Sequence, residues 1–201
     1  MFGYINIFYK KYIRPVRIRL RSNALRKKLF FCGIDVRFRG KVLISKPQKT
    51  YIGNNVHIGD NAYLKTDGGL MIGDNVVLSR NVTIYTVNHN YQGEALPYDS
   101  SKVFKPVVIH DNVWIGMNVT IAPGVTIGEG AVIGIGAVVT KDIPELAIGG
   151  GNPCQIIKYR DQEHYQSLKE NNKIANRDGK ILSVEKLSQF KKGTTPDFIS
   201  K

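Results

Sequence analysis

The sequence predicts an all-β fold: a parallel solenoid of short strands, with a basic segment ahead of it and a polar tail behind. Three observations carry this expectation. From residue 52 onward an aliphatic residue opens almost every six-residue unit, through ten or so units. Glycine, asparagine and aspartate cluster just after it, as in "IGNN", "IGDN" and "IHDN". The pattern breaks off once, at "TIYTVNHNYQGEALPYDSSKVFKP" (residues 83–106), and then resumes.

Residues 1–35 form the N-terminal segment. Within residues 1–33 stand nine Lys or Arg and no acid, the densest part of a net charge of +13 over 201 residues. Phe2, Tyr4, Ile5, Ile7, Phe8 and Tyr9 lead it. Such a segment suits peripheral contact with an anionic membrane, or a solvated helix that caps the domain. Nucleic acid is a poor partner, because no helix-turn-helix, zinc or RNP pattern accompanies the charge. No apolar run reaches the ~18 residues that spanning a bilayer requires. The opening also lacks the charged start and small-residue cleavage site of a secretory signal. Cys32 and Cys154 stand far apart, with neither a disulfide framework nor metal-pair spacing, so two small buried thiols in a reducing cytoplasm are expected.

Residues 36–158 hold the repeats. A helix needs apolar residues three and four apart and a lone strand needs them two apart, so a period of six serves neither. It suits a coil of short strands joined by tight turns, each sending one aliphatic side chain into a shared interior. The expected ladders run through Ile52, Ile58, Ile72, Leu78, Ile84, Ile109, Ile115, Ile121, Ile127 and Ile133. The "GN", "GD" and "GE" pairs supply turns, where Gly and Asn accept positive φ cheaply. Period alone is silent on the hand of the coil, and the general rule for parallel crossovers favours the right hand. A solenoid needs its ends closed. The basic start and the polar tail, residues 159–201, suit those places, and "KYRDQEHYQSLKENNK" has a helical composition.

The interruption, loop 85–107, leaves the regular coils and reads as a long connection without secondary structure of its own. Such loops tend to carry function. His89 lies where this one departs. A histidine, substantially neutral near pH 7, can take a proton from an attacking hydroxyl as the new bond forms. Asn88, Glu94, Asp99 or a backbone carbonyl could orient it. His57 and His110 occupy repeat positions and read as wall residues, and His164 as a solvated residue of the tail. A zinc site of converging histidines is disfavoured, because no second histidine stands within twenty residues of His89. No metal is expected.

"HDNVWIGMNVTIAPGVTIGEGAVIGIGAVVTKDIP", "GGGNPCQIIK" and the loop histidine together resemble the hexapeptide-repeat O-acetyltransferases. The likeness is to the galactoside, maltose and Nod-factor enzymes and to those that acetylate surface polysaccharides. The resemblance implies a left-handed parallel β-helix, triangular in section, with three hexapeptides per coil. It implies an acetyl-CoA-dependent O-acyltransferase, with His89 as general base in direct transfer to a sugar or glycan hydroxyl. It implies a homotrimer with sites between subunits. By position, Trp114, Gly116 and Met117 would lie near the reactive end of the coenzyme. Ile135 would lie beside the pantetheine arm, and Thr140, Lys141 and Lys158 near the adenosine phosphates. Serine, an antibiotic hydroxyl or a nucleotide-sugar amine are alternative acceptors, and a non-enzymatic scaffold is a further alternative. The N-terminal segment differs from the helical region of the galactoside-type enzymes, which favours an acceptor in polysaccharide or lipopolysaccharide synthesis over a free sugar.

Overall fold

The computed structural model describes residues 9–199, so Phe2, Tyr4, Ile5, Ile7 and Phe8 of the N-terminal segment lie outside the described residues. A π-helical turn, Tyr9–Ile13, leads into helix α1, Arg14–Arg26. The solenoid starts at once after it. Its first coil comprises β1 (Phe31–Cys32), β2 (Arg37–Phe38) and β3 (Val42–Ile44), so the coils begin inside the stretch read from sequence as the N-terminal segment. The second holds β4 (Thr50–Ile52), β5 (His57–Ile58) and β6 (Ala62–Lys65). The third holds β7 (Leu70–Ile72), β8 (Val77–Leu78) and β9 (Thr83–Tyr85). The interruption then contains an antiparallel hairpin, β10 (Val87–His89) with β11 (Lys102–Phe104). The fourth coil is β12 (Val107–Ile109), β13 (Trp114–Ile115) and β14 (Thr120–Ile121). The fifth is β15 (Thr126–Ile127), β16 (Val132–Ile133) and β17 (Val138–Val139). Strands β18 (Ala147–Gly150) and β19 (Gln155–Tyr159) finish the stack. Helices α2 (Gln162–Glu170) and α3 (Val184–Ser188) follow.

Three parallel sheets make the faces of a prism. Face A stacks β1, β4, β7, β12 and β15; face B stacks β2, β5, β8, β13, β16 and β18; face C stacks β3, β6, β9, β14 and β17. The prism is a left-handed parallel β-helix. The right-handed rule arises where twisted strands are joined across one sheet. Here successive strands belong to different sheets and most hold two or three residues, too few to accumulate that twist.

Every aliphatic rung expected from the sequence is 0–1% exposed. Burying such a side chain contributes about 1.5–3 kcal/mol, so the ladder is the main source of stability. Coil-to-coil hydrogen bonds hold the rungs in register. Gly53 N–H donates to the Ile72 carbonyl and Gly73 N–H to the Ile109 carbonyl, both at 2.8 Å. The second of these bonds spans the interruption, so the fourth coil lies directly on the third. Leu29, with the half-buried Leu25 beside it, closes the core at its N-terminal end.

The corners are of two kinds. Between faces A and B the turn residues Asp35, Asn55, Asn75 and Asn112 have φ of 52–59°, and between B and C so do Asn61, Asn81 and Asn118 at 58–60°. The positive φ therefore falls on the last asparagine of "IGNN" and "IGDN", two residues past the glycine. Gly53 serves close approach instead: a Cβ there would lie 2.7 Å from the Gly73 carbonyl carbon. The asparagine side chains also bond along the stack, Asn55 Nδ2 to Asn75 Oδ1 at 2.9 Å and Asn75 Nδ2 to Asn112 Oδ1 at 3.0 Å. The third corner, from C back to A, has longer connections and releases the hairpin.

Face A is covered by the chain's own tail. Asn54 is buried, and its amide pairs with the Lys191 backbone through bonds of 2.7 and 3.0 Å. Gly193 then lies against the stacked rings of Phe31 and Tyr51, and Phe198 meets Phe30 edge-on at 5.3 Å. Helix α1 and residues 177–178 lie beside the early coils of face B, while faces B and C leave Leu43, Tyr63, Tyr85, Trp114 and Ile157 exposed.

Candidate active site

His89 closes β10, where it pairs in register with Lys102 of β11. Its imidazole is exposed and stacks on Tyr98, with ring centroids 3.9 Å apart and planes inclined by 22°. The loop tip is built to make that stack. Asp99 accepts from the amides of Glu94 (3.0 Å) and Ser101 (2.8 Å) and from the Ser101 hydroxyl. These bonds, the Ser101 hydroxyl foremost, hold its carboxyl below the usual range. Gly93 permits the tightness, since a Cβ there would lie 2.2 Å from the Asp99 carboxylate.

None of the side chains proposed from sequence to orient the base does so within this chain. Asp99 is engaged by the loop, and the Asn88 carbonyl oxygen accepts from the His89 main-chain amide at 3.1 Å. Among the described residues no hydrogen bond holds a ring nitrogen of His89. The ring is positioned by Tyr98, and both nitrogens are open to a substrate. No sequence signal marked Tyr98, because its contact depends on how the Asp99 turn folds the loop back. Tyr63 and Tyr85, 5.8 Å apart on face C, were also missed. Their outward places beside the buried Leu64 and Ile84 were legible from the repeat.

The other histidines are placed as wall and tail residues. His57 is buried in β5, its Nδ1 has no partner, and its pKa is lowered to about 4. Burial is the main cause, followed by the neighbouring Arg177, Arg39 and Arg37. His110 and His164 are exposed. Burial raises the pKa of both thiols, Cys32 and Cys154, as suits unreactive packing residues. No group of three or more His, Cys, Asp or Glu with metal-binding geometry occurs among the described residues.

The residues matched to a coenzyme site fall into two sets. Trp114, 56% exposed, projects from β13 on face B. Met117 and Ile135, 41% and 64% exposed, lie on adjoining coils at the B–C corner, where Gly136 N–H donates to the Met117 carbonyl at 2.8 Å. Gly116 fits between coils because a Cβ would come 2.7 Å from the Ile135 nitrogen. Lys158 is exposed on β19, at the edge of the same sheet. Together they form an apolar strip with a cation at one end, which fits a pantetheine arm and a phosphate. Thr140 and Lys141 belong to the second set. They follow β17 at the C–A corner, where Thr140 stands in line with Tyr85 through the Ile84, Ile121 and Val139 register. His89 departs from that same corner. One chain thus holds the two sets at opposite edges of face C.

Two family descriptions match the chain: "Bacterial transferase hexapeptide (six repeats)" over residues 106–141, and "Hexapeptide repeat of succinyl-transferase" over 49–86. The galactoside O-acetyltransferase of Escherichia coli K12 is 34% identical over 154 residues, 75% of each chain. A putative colanic acid biosynthesis acetyltransferase of the same organism is 33% identical over 145 residues, 72% of this chain and 78% of that one. The crystal structure of a hexapeptide-repeat acetyltransferase from Vibrio cholerae, complexed with acetyl coenzyme A, superposes with a TM-score of 0.62 at 27% identity. The match covers 79% of this chain and 85% of that one.

Proposed function

Since the chain belongs to the hexapeptide-repeat acetyltransferases, we propose that it transfers an acetyl group to a sugar hydroxyl of a surface glycan, with His89 as general base. It is an acetyl-CoA-dependent acetyltransferase. The single observation that carries the finer reading is the split between the two edges of face C. His89, Thr140 and Lys141 stand at one edge, and Trp114, Gly116, Met117 and Ile135 at or beyond the other. A second copy of the chain, placing its face B against this face C, would bring the sets together. The uncovered apolar residues of both faces support such contacts, and a homotrimer satisfies all of them by cyclic closure.

In the shared cleft the strip Trp114–Met117–Ile135 would hold the pantetheine arm, and Lys141 and Lys158 the phosphates. The thioester supplies an activated acyl carbon and a good leaving group. His89 removes the proton from the attacking hydroxyl as the new C–O bond forms, then returns it to the departing thiolate. Tyr98 restricts the ring to one plane, which limits the directions from which a hydroxyl can reach it. General-base catalysis of this kind is worth ~10²–10⁴ in rate. His89→Ala should therefore cut acetyl transfer at least about a hundredfold with coenzyme binding preserved. Near-wild-type turnover would remove His89 as the base.

The colanic acid relative supports a polysaccharide acceptor, and we place the enzyme in the cytoplasm at the inner face of the membrane. No helix among the described residues is long and apolar enough to cross one. Helix α1 supports peripheral contact: Ile13, Val16 and Leu20 make an exposed stripe on its outer side, flanked by Arg17 and Arg21. The double change Val16→Asp and Leu20→Asp should release the protein from anionic liposomes. Undiminished binding would count against this contact.

A further inference from the structure

Helix α1 stands beside face B with its apolar stripe outward and Arg14, Arg19 and Arg26 inward. Between helix and prism lies a groove of about 1100 Å³ that runs across β2, β5 and β8 and ends at Met117. Seven arginines line it against one carboxylate, Asp60. Some are already paired: Arg14 with Asp60 at 3.2 Å, and Arg37 and Arg177 with Asp178 at 3.6 and 3.9 Å. Arg19, Arg39 and Arg80 have no acidic partner within 4 Å among the described residues. They come from three different elements, so the convergence is a product of the fold and not of local sequence.

The wall of this groove also contains His57, 4% exposed, with Nδ1 buried and unpartnered. Leaving a buried polar atom unpaired costs about 1–3 kcal/mol. Burial first, and then Arg177, Arg39 and Arg37 against the opposing Asp178, disfavour the charged imidazole. A site that gathers cations, keeps its histidine uncharged and leaves one ring nitrogen unused lacks a negative charge.

We propose that the groove binds the phosphate of the acceptor, so that the sugar acetylated carries a phosphate or diphosphate. The inference rests on the acetyl-transfer reading, because Met117 is common to the groove and to the proposed coenzyme strip. A sugar anchored by its phosphate would be held at that corner. Guanidinium forks match phosphate oxygens in geometry as well as charge. Three unpaired guanidiniums suit a diphosphate better than the single charge of a uronic acid. A nucleic acid strand fits poorly, since the lining's two aromatic rings, Phe38 and His57, are both buried and offer no stacking face. The coenzyme's own phosphates have their candidates elsewhere, at Lys141 and Lys158 on the last coils, whereas the groove belongs to the first three.

Titration calorimetry of the intact protein, saturated with coenzyme A, with inorganic pyrophosphate tests this directly. Saturable binding is expected, together with an upward shift of the His57 ring titration by NMR as the anion arrives. The triple variant Arg19→Gln, Arg39→Gln, Arg80→Gln, altered only at exposed side chains, should bind at least about a hundredfold more weakly, at roughly tenfold per lost pair. Equal binding by the variant, or pyrophosphate binding that is seen only in the coenzyme-free protein, overturns the proposal. Turnover then identifies the source of the phosphate. A nucleoside-diphosphate sugar and a polyprenyl-diphosphate sugar in detergent are compared with an unphosphorylated glycan. The true class shows a raised KM in the variant with kcat and the KM for acetyl-CoA kept. Preference for the unphosphorylated glycan, unchanged by the variant, sinks the acceptor assignment. Binding needs no turnover, so loss of the His89 effect with pyrophosphate binding intact would refute the acetyl-transfer reading alone.

Discussion

The three corners of the prism are made by the same repeat, yet they have divided the work. At the A–B and B–C corners almost every coil turns through one left-handed residue, and the asparagines there bond to the coil above. These corners leave no slack. At the C–A corner the connections are longer and are pinned by buried threonines instead, Thr66 to Lys46 and Thr86 to Lys65 and Gly68. The excursion of residues 87–106 departs there and returns without disturbing the stack, as the Gly73 to Ile109 bond shows. His89, Tyr98, Thr140 and Lys141 all sit there. On the function proposed above, the two short corners fix where the reactants are held and the long one supplies the base.

The comparison breaks most decisively if the hairpin proves structural. Replacing residues 86–106 with the short connection of residues 66–69 should abolish acetyl transfer by ~10²–10⁴ fold, the worth of a general base. The thermal midpoint should stay within a few degrees, since the connection between the second and third coils is already that short. A collapse in the midpoint would mean that the excursion helps to hold the coils. The converse change comes next in size. Asn75→Ala forces a Cβ residue without an amide into φ near 58° and cuts two ladder bonds. Denaturant titration should show a loss of about 2–3 kcal/mol with kcat unchanged, and Asn75→Gly should recover the backbone part. Equal stability of both variants would deny the corner its role. The smallest effect sharpens the permissive side. Tyr98→Ala should lower kcat by roughly three- to tenfold, as a ring stack worth about 0.5–1.5 kcal/mol implies, and Tyr98→Phe should restore it.

The rungs from Ile52 to Ile133 were legible because a six-residue period is repeated many times and each repeat has one inward place. His89 was legible because an interruption in so regular a pattern is conspicuous. What escaped were contacts between distant segments. Asn54 meets Lys191 across 137 residues, and nothing in the polar tail announces that it will return along face A. The β10–β11 pairing escaped because its strands are three residues long and lie in an irregular loop. Helix α1 was legible as basic, but its orientation was not: a solvated cap and a helix with Arg14, Arg19 and Arg26 turned inward have the same composition.

In the homotrimer proposed above, the tail laid along face A would also limit how many neighbours a subunit has. A prism with three bare sides could add partners in every direction and grow into a lattice. With residues 191–198 lying along that side, the assembly proposed above leaves each subunit two contact sides, and these are unlike. Bodies of that kind join head to tail and close after a few members. The stretch of sequence that looks least like the rest would then be what makes the particle finite.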